Sequence, residues 1–391
     1  MKQKIFRLLL PLFLCMATSK ALAFDAEING IYYNFSGTNA TVTYLLNGAN
    51  NTPAYSGDVT IPESVTYKGT TYDVTTIGNW AFQYCTELTS VSLPASVTYF
   101  GDHAFFGCTG LTSFTIPDNV TTVSMYAFSG CSNLTSIIIP SSVTSIGVYA
   151  FEGCTSLPSI TLPGGLTTIS NYTFIGCSGL TEVSIPSSVT SIGDYAFQNC
   201  TSLASVAFPN SVKSIGNWAF QNCTSLTSVV LPDGLTTFGQ SAFSGCSGLT
   251  EVSIPSSVTS IGGFAFVGCN NLTKVRVNIK EPLTISFPNT FVNRTNATLY
   301  VPKGSKAAYQ SANVWKEFKQ IVEFDDEAQD ADINKDGSIT IADVTALVNI
   351  ILGKDDTKPY IYDHDSADID KDGSITIADV TALVNIILGK E

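Results

Sequence analysis

Nine of the ten cysteines in this 391-residue chain recur at intervals of 23 residues without exception. They are Cys85, Cys108, Cys131, Cys154, Cys177, Cys200, Cys223, Cys246 and Cys269. Phenylalanines from Phe82 to Phe266 and leucines from Leu88 to Leu272 follow the same period. A unit this short cannot bury its own apolar face, so the units must stack and share one elongated core. The spacing therefore predicts a solenoid.

The unit over residues 180–200 indicates what each coil contains. Apolar residues alternate with polar ones at Val183 and Ile185, and again at Val189 and Ile192. This alternation is typical of short strands with one buried face. We therefore expect a mainly β fold.

A solenoid needs caps, because an open coil exposes both its core and its strand edges. Strand-like segments precede the first coil, and a strand followed by helical spacing over residues 305–318 comes after the last one. The predicted organisation is a signal peptide over 1–23, an N-terminal β-cap and first coil over 24–76, repeats over 77–277, a C-terminal cap over 278–324 and a further module over 325–391.

The repeat pattern LTxVxIPxxVTxIGxxAFxxCxx stands nearly verbatim at residues 180–202 and 249–271. It resembles the BspA-like leucine-rich repeats of secreted bacterial proteins over roughly residues 58–277. The resemblance implies a right-handed leucine-rich-repeat solenoid. It also implies adhesion, in which the solenoid binds a protein or glycan ligand on a host or neighbouring-cell surface.

The first 23 residues have the features of a secretory signal. Basic residues precede the apolar stretch 8–16, and the small residues of 21–23 suit a signal peptidase. The alternative is a lipid anchor at Cys15, but Leu14 stands where that motif needs a small side chain. We expect a secreted, extracellular protein, with cell-surface association left open. No later apolar run is long enough to span a membrane.

An aromatic row recurs two residues before the phenylalanines and is interrupted at Ser241. Its members are Trp80, His103, Tyr126, Tyr149, Tyr172, Tyr195, Trp218 and Phe264. One interpretation is a ligand face for sugar rings or partner side chains, because an exposed aromatic stripe is unusual without a use. The other, which we favour, is that the rings stack on one another and on the phenylalanine row as structural elements.

Hydroxyl groups dominate the polar positions of the main predicted sheet. These positions are Ser90, Ser92, Ser113, Thr115, Ser136, Ser159, Thr161, Glu182, Ser184, Ser205, Glu251 and Ser253. They would line a nearly uncharged face that binds glycan or protein weakly, or they are simply residues that suit solvated strands, the interpretation we favour. The stacked cysteines lie close enough for disulfides, but we expect buried free thiols, since each would face two equivalent neighbours.

Composition excludes several classes of function. The net charge of −13 argues against nucleic-acid binding, and two histidines cannot build a multi-histidine zinc site. Glu182 and Glu251 would stand three coils apart, about 14 Å at the strand spacing, which is too far for a glycosidase pair. We expect no enzymatic activity. Residues 325–391 hold 16 acids and 5 bases, whereas residues 1–324 hold 16 acids and 14 bases, so the acidity lies mainly in the C-terminal module.

Residues 331–354 and 367–390 differ at a single position, Asn334 against Asp370, and each fits a calcium loop. The oxygen ligands predicted from loop positions 1, 3, 5, 7, 9 and 12 are Asp332, Asn334, Asp336, Ser338, Thr340 and Asp343, and Asp368, Asp370, Asp372, Ser374, Thr376 and Asp379. We therefore predict two Ca²⁺ ions. The second loop has four carboxylates against three, which predicts tighter binding there.

Each loop is followed by apolar residues on one helical face that ends in Leu-Gly. This tandem resembles the type I dockerin, a small α-helical calcium-binding domain of polysaccharide-degrading assemblies, over about residues 328–391. The resemblance implies calcium-dependent docking to a cohesin through Ile341, Ala342, Val348 and Asn349, and through Ile377, Ala378, Val384 and Asn385 in the duplicate.

The leading hypothesis is thus a secreted binding protein that attaches to a cohesin-type scaffold. Two alternatives stay open. The protein could be an accessory, glycan-binding subunit of a complex for polysaccharide catabolism. The C-terminal module could also be a calcium-stabilised cap or sorting element without a cohesin partner.

Overall fold

The computed structural model describes residues 24–44, 55–324, 344 and 377–387. Six strands form the N-terminal region: β1 Ala26–Ile28, β2 Ile31–Ser36, β3 Asn39–Val42, β4 Gly57–Thr60, β5 Ser64–Tyr67 and β6 Thr70–Ile77. Strands β5 and β6 form a hairpin whose turn residues, Lys68 and Gly69, both have positive φ, as a two-residue type I′ turn requires. One sheet has the order β1-β2-β3-β6-β5.

Each coil then contributes one strand of two to five residues on each of two sides. These strands are β7 Leu88–Ser92, β8 Tyr99–Phe100, β9 Ser113–Thr115, β10 Thr122–Val123, β11 Ser136–Ile138, β12 Ser145–Ile146, β13 Ser159–Thr161, β14 Thr168–Ile169, β15 Glu182–Ser184, β16 Ser191–Ile192, β17 Ser205–Ala207, β18 Ser214–Ile215, β19 Ser228–Val230, β20 Thr237–Phe238, β21 Glu251–Ile254, β22 Ser260–Ile261 and β23 Lys274–Val277. Strand β4 pairs with β7 and β6 pairs with β8, so the N-terminal strands continue into the coils.

Pairing between coils is parallel and in register. Val183, for example, lies opposite Ile160 and Val206, one period away on either side. The third side of the coil lacks strands but continues the hydrogen-bond ladder, since Phe174 N–H donates to the Ala196 carbonyl of the next coil at 2.8 Å. The mainly β solenoid of stacked 23-residue turns that the sequence predicts is confirmed.

The core of the solenoid is a set of continuous side-chain rows. The phenylalanine row, here called the phenylalanine ladder (Phe82 to Phe266), is fully buried, and consecutive ring centroids are 5.0 to 5.7 Å apart. All nine repeat cysteines are buried free thiols. Cys131, for instance, donates from Sγ to the Phe105 carbonyl at 3.2 Å, and burial raises the pKa of this thiol to about 12. These thiols act as small apolar core residues.

The C-terminal end is closed by strands β24 Thr298–Pro302 and β25 Gln320–Phe324, which extend the sheet in the parallel order β23-β24-β25. Between them lie helix α1 Lys306–Ser311 and a 3-10 turn, Trp315–Glu317, and two further 3-10 turns, Pro288–Thr290 and Arg294–Asn296, precede β24.

The helix expected over residues 305–318 is therefore shorter than predicted. It ends because Ala312 is extended and Val314 has a φ of 71°, which turns the buried Trp315 back toward the core. A second helix, α2 Ile377–Ile387, lies in the C-terminal module.

Candidate functional site

The aromatic row forms a continuous face-to-face stack over six coils. From His103 through Tyr126, Tyr149, Tyr172 and Tyr195 to Trp218, ring centroids are 4.4 to 4.8 Å apart and the planes are within 15° of parallel. We call these six residues together with Trp80 the aromatic stack. Ring faces inside the stack are covered by neighbouring rings, so a ligand beside it would meet ring edges and hydroxyl groups.

Every residue of the stack has left-handed backbone, with φ between 53° and 60°. This conformation costs a residue other than glycine about 1–2 kcal/mol. A stacked aromatic pair returns about 0.5–1.5 kcal/mol beyond the area it buries, and each inner ring makes two such contacts. The stacking therefore offsets the cost of the backbone, which supports the structural interpretation for the interior of the row.

The packing of the stack also raises the pKa of a tyrosine in its interior. Desolvation, followed by the neighbouring phenols of Tyr172 and Tyr126, raises the pKa of Tyr149 to about 12. The His103 ring lies between Trp80 and Tyr126, and its Nδ1 is buried without a hydrogen-bond partner in the described part of the chain. This imidazole thus packs as a stacking ring.

The two ends of the row differ from its interior. At the N-terminal end Trp80 is 41% exposed, its ring centroid lies 6.2 Å from that of His103, and Tyr44 packs against it in a T-shaped pair at 6.3 Å. At the other end Ser241 interrupts the row, and Phe264 packs on Phe287 at 5.0 Å. Phe264 therefore belongs to a separate pair beyond the interruption.

Two aromatic residues beside the N-terminal end of the stack, Tyr84 and Phe106, were not predicted from the sequence. Tyr84 is 45% exposed and forms a T-shaped pair with Phe106, whose ring centroid in turn lies 5.5 Å from that of His103. Tyr84 occupies a left-handed position that is Gly107 in the next coil. The sequence did contain a signal for Tyr84, because this position is glycine or asparagine in the other coils.

The main sheet presents its hydroxyl-rich positions outward, with two apolar exceptions. Ser113, Ser136 and Ser159 are exposed, but Ile138 is 62% exposed and Val230 is 45% exposed. Neither was among the polar positions singled out from the sequence. They lie on β11 and β19 with other coils between them, so they do not form one apolar patch.

The solenoid carboxylates have structural partners. Glu251 pairs with Lys274 at 3.6 Å, and Asp194 accepts the Asn217 backbone N–H at 2.7 Å. Strands β17 and β19 separate Glu182 on β15 from Glu251 on β21. Within the described ranges, no group of three or more histidine, cysteine or acidic side chains is placed to hold a metal ion.

Of the predicted calcium ligands, only Asp379 lies within the described residues. It is fully buried in the first turn of α2, where a carboxylate needs a cation or hydrogen-bond donors. That placement fits the last ligand of a calcium loop. The other ligands, Asp332 through Thr376, fall outside the described residues, as do Ile341, Ala342, Val348 and Asn349 of the predicted cohesin contact. Ile377, Ala378, Val384 and Asn385 of the duplicate are all in α2.

Comparison with protein families matches these two regions separately. The BspA type leucine rich repeat region matches in six copies over residues 75–204 and 167–298. The chain belongs to the BspA-type leucine-rich repeat family. The dockerin type I domain matches residues 330–388 of this BspA-type protein. Dockerins of this type bind Ca²⁺ and imply a cohesin as partner.

Solved structures of leucine-rich repeat proteins resemble this BspA-type chain. One from Bacteroides ovatus is 28% identical with a TM-score of 0.56, covering 77% of this chain and 90% of its own. The leucine-rich repeat protein of T. pallidum is 28% identical with a TM-score of 0.33, covering 63% of this chain and 90% of its own. A leucine rich cell surface protein from Faecalibacterium prausnitzii is 25% identical with a TM-score of 0.33, covering 64% and 94%. No curated protein matches this chain. Among the described residues, no helix is both long and apolar enough to cross a membrane.

Proposed function

We propose that this protein is a secreted, non-enzymatic binding protein whose solenoid recognises a surface ligand and whose C-terminal module docks to a cohesin-type scaffold in the presence of calcium. The observation that carries the proposal is the joining of two binding modules, repeats and type I dockerin, in one chain. Solenoid carboxylates engaged by backbone groups or by Lys274 support a non-enzymatic role. Proteins of both families are typically extracellular or surface-associated.

Calcium supplies the charge that this attachment needs. The twelve predicted ligands include seven carboxylates, which repel one another until a cation binds them. The buried Asp379 fits that assignment, since α2 begins just before it. Calcium binding would therefore fold the module and position the two predicted cohesin contacts, which the near-identity of the halves makes equivalent.

Capture of the full chain by immobilised type I cohesin modules tests the docking step. We expect capture in 2 mM Ca²⁺ and its loss in EDTA. The double substitution Asp336→Ala and Asp372→Ala should abolish capture, whereas Asp355→Ala with Asp356→Ala, outside both loops, should leave it intact. Calcium binding without capture by any cohesin would leave the module as a stabilised cap or sorting element and overturn the docking proposal.

The ranking of the two calcium sites has its own test. Calorimetry of Asp336→Ala and Asp372→Ala separately should show the larger loss of affinity for Asp372→Ala, because the second loop has the additional carboxylate. Equal losses in the two variants would contradict the ranking.

A second candidate function is that of a glycan-binding accessory subunit in polysaccharide breakdown. It is favoured by Trp80 and Tyr84, whose side chains are exposed beside the N-terminal end of the aromatic stack. A glycan array probed with the full chain and with Trp80→Ala tests it. Retained glycan binding by Trp80→Ala would rule out this end of the stack as the binding site.

A further inference from the structure

Charge is divided sharply along the chain. Residues 24–273 contain two basic residues, Lys68 and Lys213, against 13 acids. Residues 274–324, which we call the basic cap, contain three acids and eight bases: Lys274, Arg276, Lys280, Arg294, Lys303, Lys306, Lys316 and Lys319. The net charge is thus −11 over the body of the solenoid and +5 over its last coil and cap. Residues 325–391, the acidic tail, return to −11.

The positive charge of the basic cap is accessible. All six of its lysines are exposed, and Lys303 and Lys319 stand at opposite ends of the paired strands β24 and β25, about 20 Å apart. Among the described residues, Lys274 forms an ion pair with Glu251, and Arg294 forms one with Glu317.

Two of the three acids of the basic cap already have partners within it. Glu317 is held by Arg294, whose Nε and Nη2 donate at 2.8 and 2.5 Å. Glu323 accepts the backbone N–H of Lys306 at 2.9 Å. The exposed face of the last coil therefore keeps an excess of positive charge and calls for an anionic partner.

The acidic tail is the partner that the charges favour. It has the opposite sign, and the chain enters it directly after β25, on the basic cap itself. Tethering gives such a segment an effective concentration in the millimolar range, so even a weak attraction is populated. Screening limits the attraction to about 8–10 Å at physiological salt, which requires contact and makes it sensitive to salt.

We propose that the basic cap binds the acidic tail in the absence of calcium and releases it when calcium binds. The release step rests on the proposed calcium sites. Two bound ions would add four positive charges and engage seven of the tail's 16 acids, so the attraction falls as the cohesin-binding form is made. By linkage, the contact with the basic cap must lower the affinity for calcium by the same factor by which calcium lowers the affinity of the tail for the basic cap.

Zero-length carbodiimide cross-linking of the full mature chain, read by mass spectrometry, tests the contact. We score bonds from basic-cap lysines to carboxylates from Asp332 onward, because residues 325–327 follow β25 directly in the chain and do not report on the rest of the tail. Lys68 and Lys213 provide the matched control lysines. In EDTA and 50 mM NaCl, cross-links to Lys306, Lys316 and Lys319 should exceed those to the control lysines at least fivefold. The excess should disappear in 500 mM NaCl.

Calcium titration of a quadruple variant tests the linkage. Replacing Lys303, Lys306, Lys316 and Lys319 by glutamine should raise calcium affinity about fivefold at 50 mM NaCl and leave it unchanged at 500 mM. The control is Lys68→Gln with Lys213→Gln, for which no change is expected. Exposed lysine substitutions cost little stability, so all the variants should fold.

Three outcomes are decisive. Cross-links in EDTA no more frequent than those to the control lysines would overturn the contact. If calcium does not reduce the cross-links and the quadruple variant does not change calcium affinity, the release step is wrong. Failure of the unmodified chain to bind calcium would refute the proposed calcium sites while leaving the contact to stand on the cross-links in EDTA. Binding of added polygalacturonate at the basic cap, without cross-links to the tail, would make this surface a site for an external acidic glycan and would also overturn the proposal.

Discussion

Two aromatic rows run along the solenoid two positions apart in every coil, and they are stabilised in different ways. The phenylalanine ladder is fully buried. The aromatic stack is partly exposed and has left-handed backbone throughout. A ladder residue stabilises the fold by leaving water, whereas a stack residue stabilises it mainly by covering the ring on either side. The ladder should therefore be costly to interrupt at any coil, and the stack should tolerate interruption, as it does at Ser241.

The largest expected effect comes from a cavity in the ladder. Phe174 is fully buried between Phe151 and Phe197, with ring centroids 5.6 and 5.2 Å away. Phe174→Ala should lower the free energy of unfolding by about 3–5 kcal/mol, measured by urea denaturation. The control is Tyr172→Ala in the same coil. Equal losses for the two variants would contradict the distinction between the rows.

Backbone strain makes the stack respond differently to alanine and glycine. Tyr172→Ala removes two stacked contacts yet keeps a Cβ at a φ of 60°, so we expect a loss of about 1–2 kcal/mol. Tyr172→Gly removes the same contacts but relieves the left-handed conformation, worth about 1 kcal/mol. Glycine should thus be less destabilising than alanine here, the reverse of their order at an ordinary position. An alanine variant as stable as the glycine variant would show that the backbone is not strained.

The sequence predicts the phenylalanine ladder but not the backbone geometry of the aromatic stack. Period and hydrophobicity place Phe174 in a shared core, because every coil repeats the same apolar position. Nothing in the residue type indicates the left-handed backbone of Tyr172, since a bulky side chain ordinarily avoids it. The tertiary ladder imposes that conformation: alternate N–H groups in this turn bond to the next coil, as Tyr172 N–H does to the Asp194 carbonyl at 2.9 Å.

Departures from the repeat were also beyond prediction from the pattern. Tyr84 and Val230 stand where the consensus has glycine or a polar residue, so a repeat-based interpretation overlooks them. Helix α1 stops early because Trp315 must reach the core, a demand of packing that periodicity does not show. The calcium ligands were assigned from spacing alone, and of these Asp379 is buried in the first turn of α2.

Filling the interruption at Ser241 should extend the stack. Ser241 has the same left-handed backbone, with a φ of 55°, and lies between the coils of Trp218 and Phe264. Ser241→Tyr would place a ring on the face of Trp218 opposite Tyr195 and should raise the free energy of unfolding by about 0.5–1.5 kcal/mol. Ser241→Ala is the control without a ring. Because Ser241 is itself buried, a destabilised tyrosine variant would mean that the neighbouring coils have closed over the missing ring.

A further effect concerns the pH dependence of stability. Packing raises the pKa of Tyr149 from its ordinary 10.0 to about 12, so the folded state holds this proton more tightly than the unfolded chain does. The resulting stability is present in full below pH 10 and is lost as the pH rises through 12. Tyr149→Phe keeps the stacked ring and removes the ionisation. Its free energy of unfolding should therefore fall less than that of the parent between pH 9 and 12. Other tyrosines and the buried thiols also titrate there, but they do so in both proteins, so the difference between the two curves reports Tyr149 and its coupling to Tyr126 and Tyr172. Parallel curves would show that its hydroxyl is solvated, and that the outer edge of the stack is open to water and to ligands.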